Sequence, residues 1–134
     1  RETGLEDYID TGVRIDGVLS SELVEGVFFP NSPLHDGAVV LRGKRVVAAG
    51  CTLPLSDNAR SGHLGTRHRA ALGISEVTDA VAVVVSEETG QISAAAGGRM
   101  ISRLDGARLR ALLLSLYVAA ARVEGGLLRR RVKV

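Results

Sequence analysis

Leu64-Gly65-Thr66-Arg67-His68-Arg69-Ala70-Ala71-Leu72-Gly73-Ile74-Ser75-Glu76-Val77-Thr78-Asp79 is the stretch around which the rest of the chain can be read. From Ala70 onward it carries small and apolar residues and predicts a helix that ends at Thr78-Asp79. Thr66 has the hydroxyl of an N-cap, able to accept a backbone N–H of the first turn. Arg67, His68 and Arg69 then fall in that first turn, where the helix dipole is positive and cations are disfavoured. Free N–H groups and the dipole make such an end a phosphate site, and two guanidinium groups add bidentate charge. A solvated, Arg-rich helix start accounts for the same triplet, because basic triplets are common on surfaces.

Upstream, Ser20 and Ser21 offer N-caps for a short helix reaching about Phe28, which Pro30-Asn31-Ser32-Pro33 stops. Asp16-Gly17 reads as a turn. Ala38 to Arg42 reads as a strand, Gly43-Lys44 as a tight turn, and Arg45 to about Thr52 as the returning strand. Leu53 to His63 reads as a loop. Downstream, Ala80 to Val85 and Gln91 to Ala96 form a second strand pair around Ser86 to Gly90, and Gly97-Gly98 is a further turn. A long helix is expected from about Leu104 to Val123, with Gly125-Gly126 ending it. Unbroken Val and Ala runs predict strands buried on both faces. Hairpins mixed with helices place the chain in the α/β (mixed α+β) class: a single domain with a central mixed sheet flanked by helices.

Composition narrows the function classes. The 134 residues suit one domain, and 46% hydrophobic content supplies a core. Aromatics are 3% and Trp is absent, so stacking platforms for single-stranded nucleic acid are scarce. Net charge is only +2 although the isoelectric point is near 9.1, and no specific nucleic-acid partner is expected. Arg129-Arg130-Arg131-Val132-Lys133 supplies much of the positive excess and reads as a solvated tail, so residues 1–124 are assigned to the domain and 125–134 to a basic tail. The single cysteine, Cys51, excludes an internal disulfide and sits in an apolar context. No secretory signal is present, and the apolar run Ala111 to Ala121 is too short to span a bilayer. With Arg1 first and Met100 the only methionine, the sequence is expected to be a domain of a longer protein.

Three polar clusters interrupt the apolar strands: His35-Asp36-Gly37, Gly65 to Arg69, and Ser86-Glu87-Glu88-Thr89-Gly90. Each lies at an element end, where α/β folds build sites. Asp36 could bind a metal or activate a hydroxyl, Gly37 would let a ligand approach the backbone, and Glu87 or Glu88 adds a carboxylate. Carboxylates, arginines and a helix N-terminus are the groups that phosphoryl chemistry uses. Each cluster also has a plain structural reading, Asp36-Gly37 as a turn and Glu87 to Gly90 as a hairpin connection.

Asn31 to Ala38, Cys51-Thr52-Leu53-Pro54-Leu55, Leu64 to Asp79 and Val84 to Gly90, in this order, resemble the diadenylate cyclase domain in its membrane-anchored bacterial form. The resemblance runs from about Glu2 to the long C-terminal helix. It implies condensation of two ATP into cyclic di-AMP and two pyrophosphates, across a homodimer whose protomers meet face to face. It implies catalytic roles for Asp36, Arg67, His68 and Arg69, and ATP contacts at Gly37, Ala38, Leu53, Thr66, Arg67 and Ser86. It further implies a divalent metal, Mg2+ or Mn2+, on Asp36 and Glu88, with His35 as a further candidate ligand. The anchored relatives hold this domain at the inner face of the cell membrane through an N-terminal anchor, which implies a cytoplasmic, tethered domain. Many relatives carry Tyr where this chain has Thr52, which puts aromatic packing on the adenine in doubt. The alternative is a non-catalytic ATP- or nucleotide-binding regulatory domain.

Overall fold

The computed structural model describes residues 4–57, 64–86, 88–123 and 131–133. In chain order the elements are α1 (Glu6–Ile9), β1 (Val13–Val18), α2 (Ser21–Phe28), β2 (Ala38–Arg42) and β3 (Arg45–Cys51). They continue with α3 (Thr66–Val77), β4 (Ala82–Val85), β5 (Ile92–Ala96), β6 (Arg99–Leu104), α4 (Gly106–Val123) and β7 (Arg131–Lys133). The strands form one sheet in the order β1-β3-β2-β7-β4-β5-β6. β4 and β7 run parallel and the other neighbours antiparallel, so the sheet is mixed as expected.

Alternating residues of β2 reach two separate apolar clusters. Ala38 and Val40 join Ile9, Ala71, Ile74, Ala82 and Val84 beneath α1 and α3. Val39 and Leu41 join Val27, Val46 and Ala49, against which Leu23 and Phe28 of α2 pack. Helices on both faces therefore explain why β2 reads as an unbroken apolar run. Ser20 caps α2 by accepting a hydrogen bond from the Leu23 N–H at 3.1 Å.

Two expectations change, and one strand goes beyond them. Asp16-Gly17 is not a turn but the bulged middle of β1, where the register to β3 shifts between Arg14 and Gly17. Asp16 sits at φ 52, and Arg45 holds it there by donating to its carboxylate at 2.9 Å and its carbonyl at 2.6 Å. Arg131–Lys133 is not a solvated tail: its backbone fills the gap between β2 and β4, antiparallel to the first and parallel to the second. Residues 125–130, including Gly125-Gly126, lie outside the described residues. Arg99–Leu104, half polar and mostly exposed, pairs with β5 as an edge strand.

Candidate active site

The N-terminal end of α3 opens onto a cavity of about 620 Å3, a size within the roughly 300–1,000 Å3 of small-molecule sites. Gly65, not Thr66, is the N-cap residue, and no side chain caps the helix. Thr66 stands one position inside because the extended backbone falls at Gly65. The first turn carries no acidic residue, so its dipole faces the cavity without an anion from the helix itself. Thr66, Arg67 and Ala70 lie along one stripe of the helix and all line the cavity, as does His68. The Arg67 guanidinium donates to the Val85 carbonyl at 3.4 Å, which ties the helix start to the end of β4.

The remaining walls come from three other segments. Asp36, Gly37 and Ala38 enter from the start of β2. Cys51 and Leu53 form an apolar floor where β3 ends, Cys51 directly opposite Ala38 in the sheet. Ser86 and Glu88 enter from the turn after β4. That turn is closed on itself: the Ser86 hydroxyl accepts from the N–H groups of Glu88 and Thr89 at 3.2 and 3.3 Å. Glu87 lies outside the described residues.

Asp36, Gly37, Ala38, Leu53, Thr66, Arg67, His68, Ser86 and Glu88 are thus brought together, although they come from segments far apart in the chain. Arg69 is not among them. Its guanidinium donates to the Ser56 carbonyl at 3.1 Å, away from the cavity. Nor is His35, whose Nδ1 lies 2.7 Å from the Ser32 carbonyl. Gly37, which does line the cavity, also has a packing reason beside the one expected. A Cβ there would meet the Gly50 backbone at 2.7 Å, so glycine is needed for β2 to approach β3. Thr52 is exposed and does not line the cavity; its N–H donates to the Thr11 hydroxyl at 2.7 Å.

Three cavity residues, Cys51, Gly65 and Ala70, were not singled out from the sequence as ligands. Cys51 reads simply as core, and it is 2% exposed. Burial pushes its thiol above the usual range, so it is a neutral wall and not a nucleophile. Ala70 could have been found from its spacing, one helical turn beyond Thr66 and Arg67.

Among the described residues no group of three or more His, Cys, Asp or Glu is gathered to hold a metal ion. The cavity does hold two exposed carboxylates, Asp36 and Glu88. That donor set suits an ion such as Mg2+, which commonly takes one or two protein carboxylates and completes its shell with substrate phosphates and water.

Residues 1–100 match the family model described as DAC, the DisA bacterial checkpoint controller nucleotide-binding domain. This chain belongs to the DAC family. The domain is 51% identical over 119 residues to a diadenylate cyclase of Listeria monocytogenes, covering 88% of this chain and 44% of that protein. It is 50% identical over 114 residues to the cyclic di-AMP synthase CdaA of Bacillus subtilis, covering 84% of this chain and 42% of that one. The crystal structure of DacA from Staphylococcus aureus, a double cysteine mutant, superposes with a TM-score of 0.80 at 51% identity, covering 86% of this chain and 77% of that chain. The crystal structure of a hypothetical membrane spanning protein from Bacillus cereus gives 0.71 at 43% identity, covering 78% and 52% respectively. The DAC domain therefore spans less than half the length of the two curated relatives. Among its described residues no helix is long and apolar enough to cross a membrane.

Proposed function

We propose that this DAC domain is a diadenylate cyclase that condenses two ATP into cyclic di-AMP and releases two pyrophosphates. The observation that carries this reading is the convergence of four separated segments on one cavity with an apolar floor and a polar, helix-capped mouth. The names of the relatives point the same way.

In this reading Leu53 and Ala38 take the base end, while the first-turn N–H groups of α3, Thr66, Arg67, His68 and Ser86 take the polyphosphate. Asp36 is placed to orient the attacking ribose 3′-hydroxyl. A divalent ion, Mg2+ or Mn2+, would be held by Asp36 and Glu88 and would supply charge compensation for the phosphates and a more acidic hydroxyl. Each cavity takes one nucleotide, so closing the ring requires a second protomer face to face with the first. Holding two nucleotides in register can replace roughly 7–11 kcal/mol of barrier at best. In the full-length protein we place the domain at the cytoplasmic face of the membrane, tethered by an N-terminal anchor; the likeness to a membrane-spanning protein of Bacillus cereus supports that placement.

The test is incubation of the protein with ATP and either Mg2+ or Mn2+, with the product identified by mass. Cyclic di-AMP is the expected product. ATP that binds but stays intact at every protein concentration would favour the regulatory, non-catalytic alternative.

A further inference from the structure

Resting on the nucleotide-site reading above, we propose that Arg69 is a positioning residue. It clasps the 53–57 segment to α3, so that the base end and the polyphosphate end of the cavity are held as one body. Arg69, Gly73 and Glu76 are spaced i, i+4, i+7 and form a stripe beside the one that faces the cavity. Each member of this stripe meets the segment. The Arg69 guanidinium donates to the Ser56 carbonyl at 3.1 Å, and the Ser56 N–H donates back to the Arg69 carbonyl at 3.0 Å. The Ser56 hydroxyl donates to the Glu76 carboxylate at 2.8 Å. Gly73 leaves room for the Pro54 carbonyl, with which a Cβ at that position would collide.

Ser56 is 1% exposed, and Leu53, three residues earlier, is 7% exposed in the cavity wall. The first turn of the same helix carries Thr66, Arg67 and His68 into the cavity. The clasp therefore fixes the distance between the two halves of a nucleotide site from outside that site. A bond from a guanidinium to a backbone carbonyl is charge-assisted and stronger than a neutral pair. The Arg-His-Arg triplet then divides its work: Arg67 and His68 face the ligand, and Arg69 faces the wall.

The test compares the wild type with Arg69→Ala and with Ser56→Ala, which removes the hydroxyl that donates to Glu76 and does not line the cavity. Calorimetry uses ATP, adenosine and tripolyphosphate as separate probes, and hydrogen exchange is followed across 53–57 in the free protein. In both variants the affinities for ATP and adenosine should fall about tenfold, the equivalent of one lost charge-assisted hydrogen bond, while tripolyphosphate binding is unchanged. Exchange across 53–57 should accelerate. Arg69→Ala losing tripolyphosphate but keeping adenosine would make Arg69 a phosphate ligand and overturn the proposal. Equal loss of all three probes, or unchanged exchange, would also overturn it. A wild type that binds neither ATP nor tripolyphosphate would instead overturn the nucleotide-site reading, and accelerated exchange would then mark a loop anchor only.

Discussion

Replacing Asp36 by Asn separates chemistry from structure more cleanly than any other single change. Asp36 is exposed, at the cavity edge, and its carboxylate has no hydrogen-bond or ion-pair partner among the described residues. Asn has nearly the same shape and tolerates the same turn. Exposed substitutions away from caps, cores and networks alter stability by about 0.5 kcal/mol or less. For a domain of this length that is about 2 °C in Tm, within reach of a thermal melt. In the proposed reaction the lost group is the charge that orients the attacking hydroxyl, and removing a group that handles the reacting proton typically costs about 10²–10⁴ in rate. Asp36→Asn should therefore melt with the wild type, bind ATP within a few-fold, and form cyclic di-AMP at least about a hundredfold more slowly. The assay is initial rate by product mass at saturating ATP, beside calorimetry and a melt on the same preparation. Activity within a few-fold of wild type would return Asp36 to a turn role. A drop of many degrees in Tm would show that the carboxylate serves the fold.

Three further outcomes are expected. Arg67→Ala should weaken ATP binding by about 10- to 100-fold, the range of one or two charge-assisted bonds, with little change in Tm; calorimetry and a melt decide it, and a large loss of stability would favour a structural Arg67. Ile74→Ala should cost about 2–5 kcal/mol by denaturant unfolding, because Ile74 is 0% exposed between α3 and the sheet. Hydrogen bonds from Arg42 and then Arg14 hold the Glu6 carboxyl below its ordinary 4.5. A carboxylate with a depressed folded pKa stabilises above its unfolded value and loses that contribution as pH falls through the folded one. The pair is exposed and worth little, so the Tm gap between wild type and Glu6→Gln should be small at neutral pH and close on acidification. A gap that widens in acid would reverse the sign of this linkage.

Central elements were legible because their patterns are local. The Ser20 cap, the Gly43-Lys44 turn and the Val-rich strands announce α2, the β2–β3 hairpin and β4 in their own residues. Edge and filler strands were not, because tertiary pairing makes them. β6 mixes polar and apolar residues without strict alternation, β1 is interrupted by a left-handed Asp16 that only Arg45 explains, and Arg131–Lys133 becomes a strand where β2 and β4 leave a gap. The site divides in the same way. Residue types reveal an anion end and two carboxylates, and the fold brings them together. Which face of α3 each residue occupies is a three-dimensional fact. One position along the helix turns Arg69 from the cavity to Ser56 while His68 stays in the wall. Gly73, a residue that lowers helix propensity, makes sense only against the Pro54 carbonyl.

The most direct measurement is the product formed from ATP at several protein concentrations, with Mg2+ and Mn2+ in parallel, resolved by mass. Cyclic di-AMP is expected at a rate that rises faster than linearly with protein, because in the proposed reaction two facing cavities must meet. ATP recovered unchanged at all concentrations and with either metal, from protein shown by calorimetry to bind it, would contradict the cyclase.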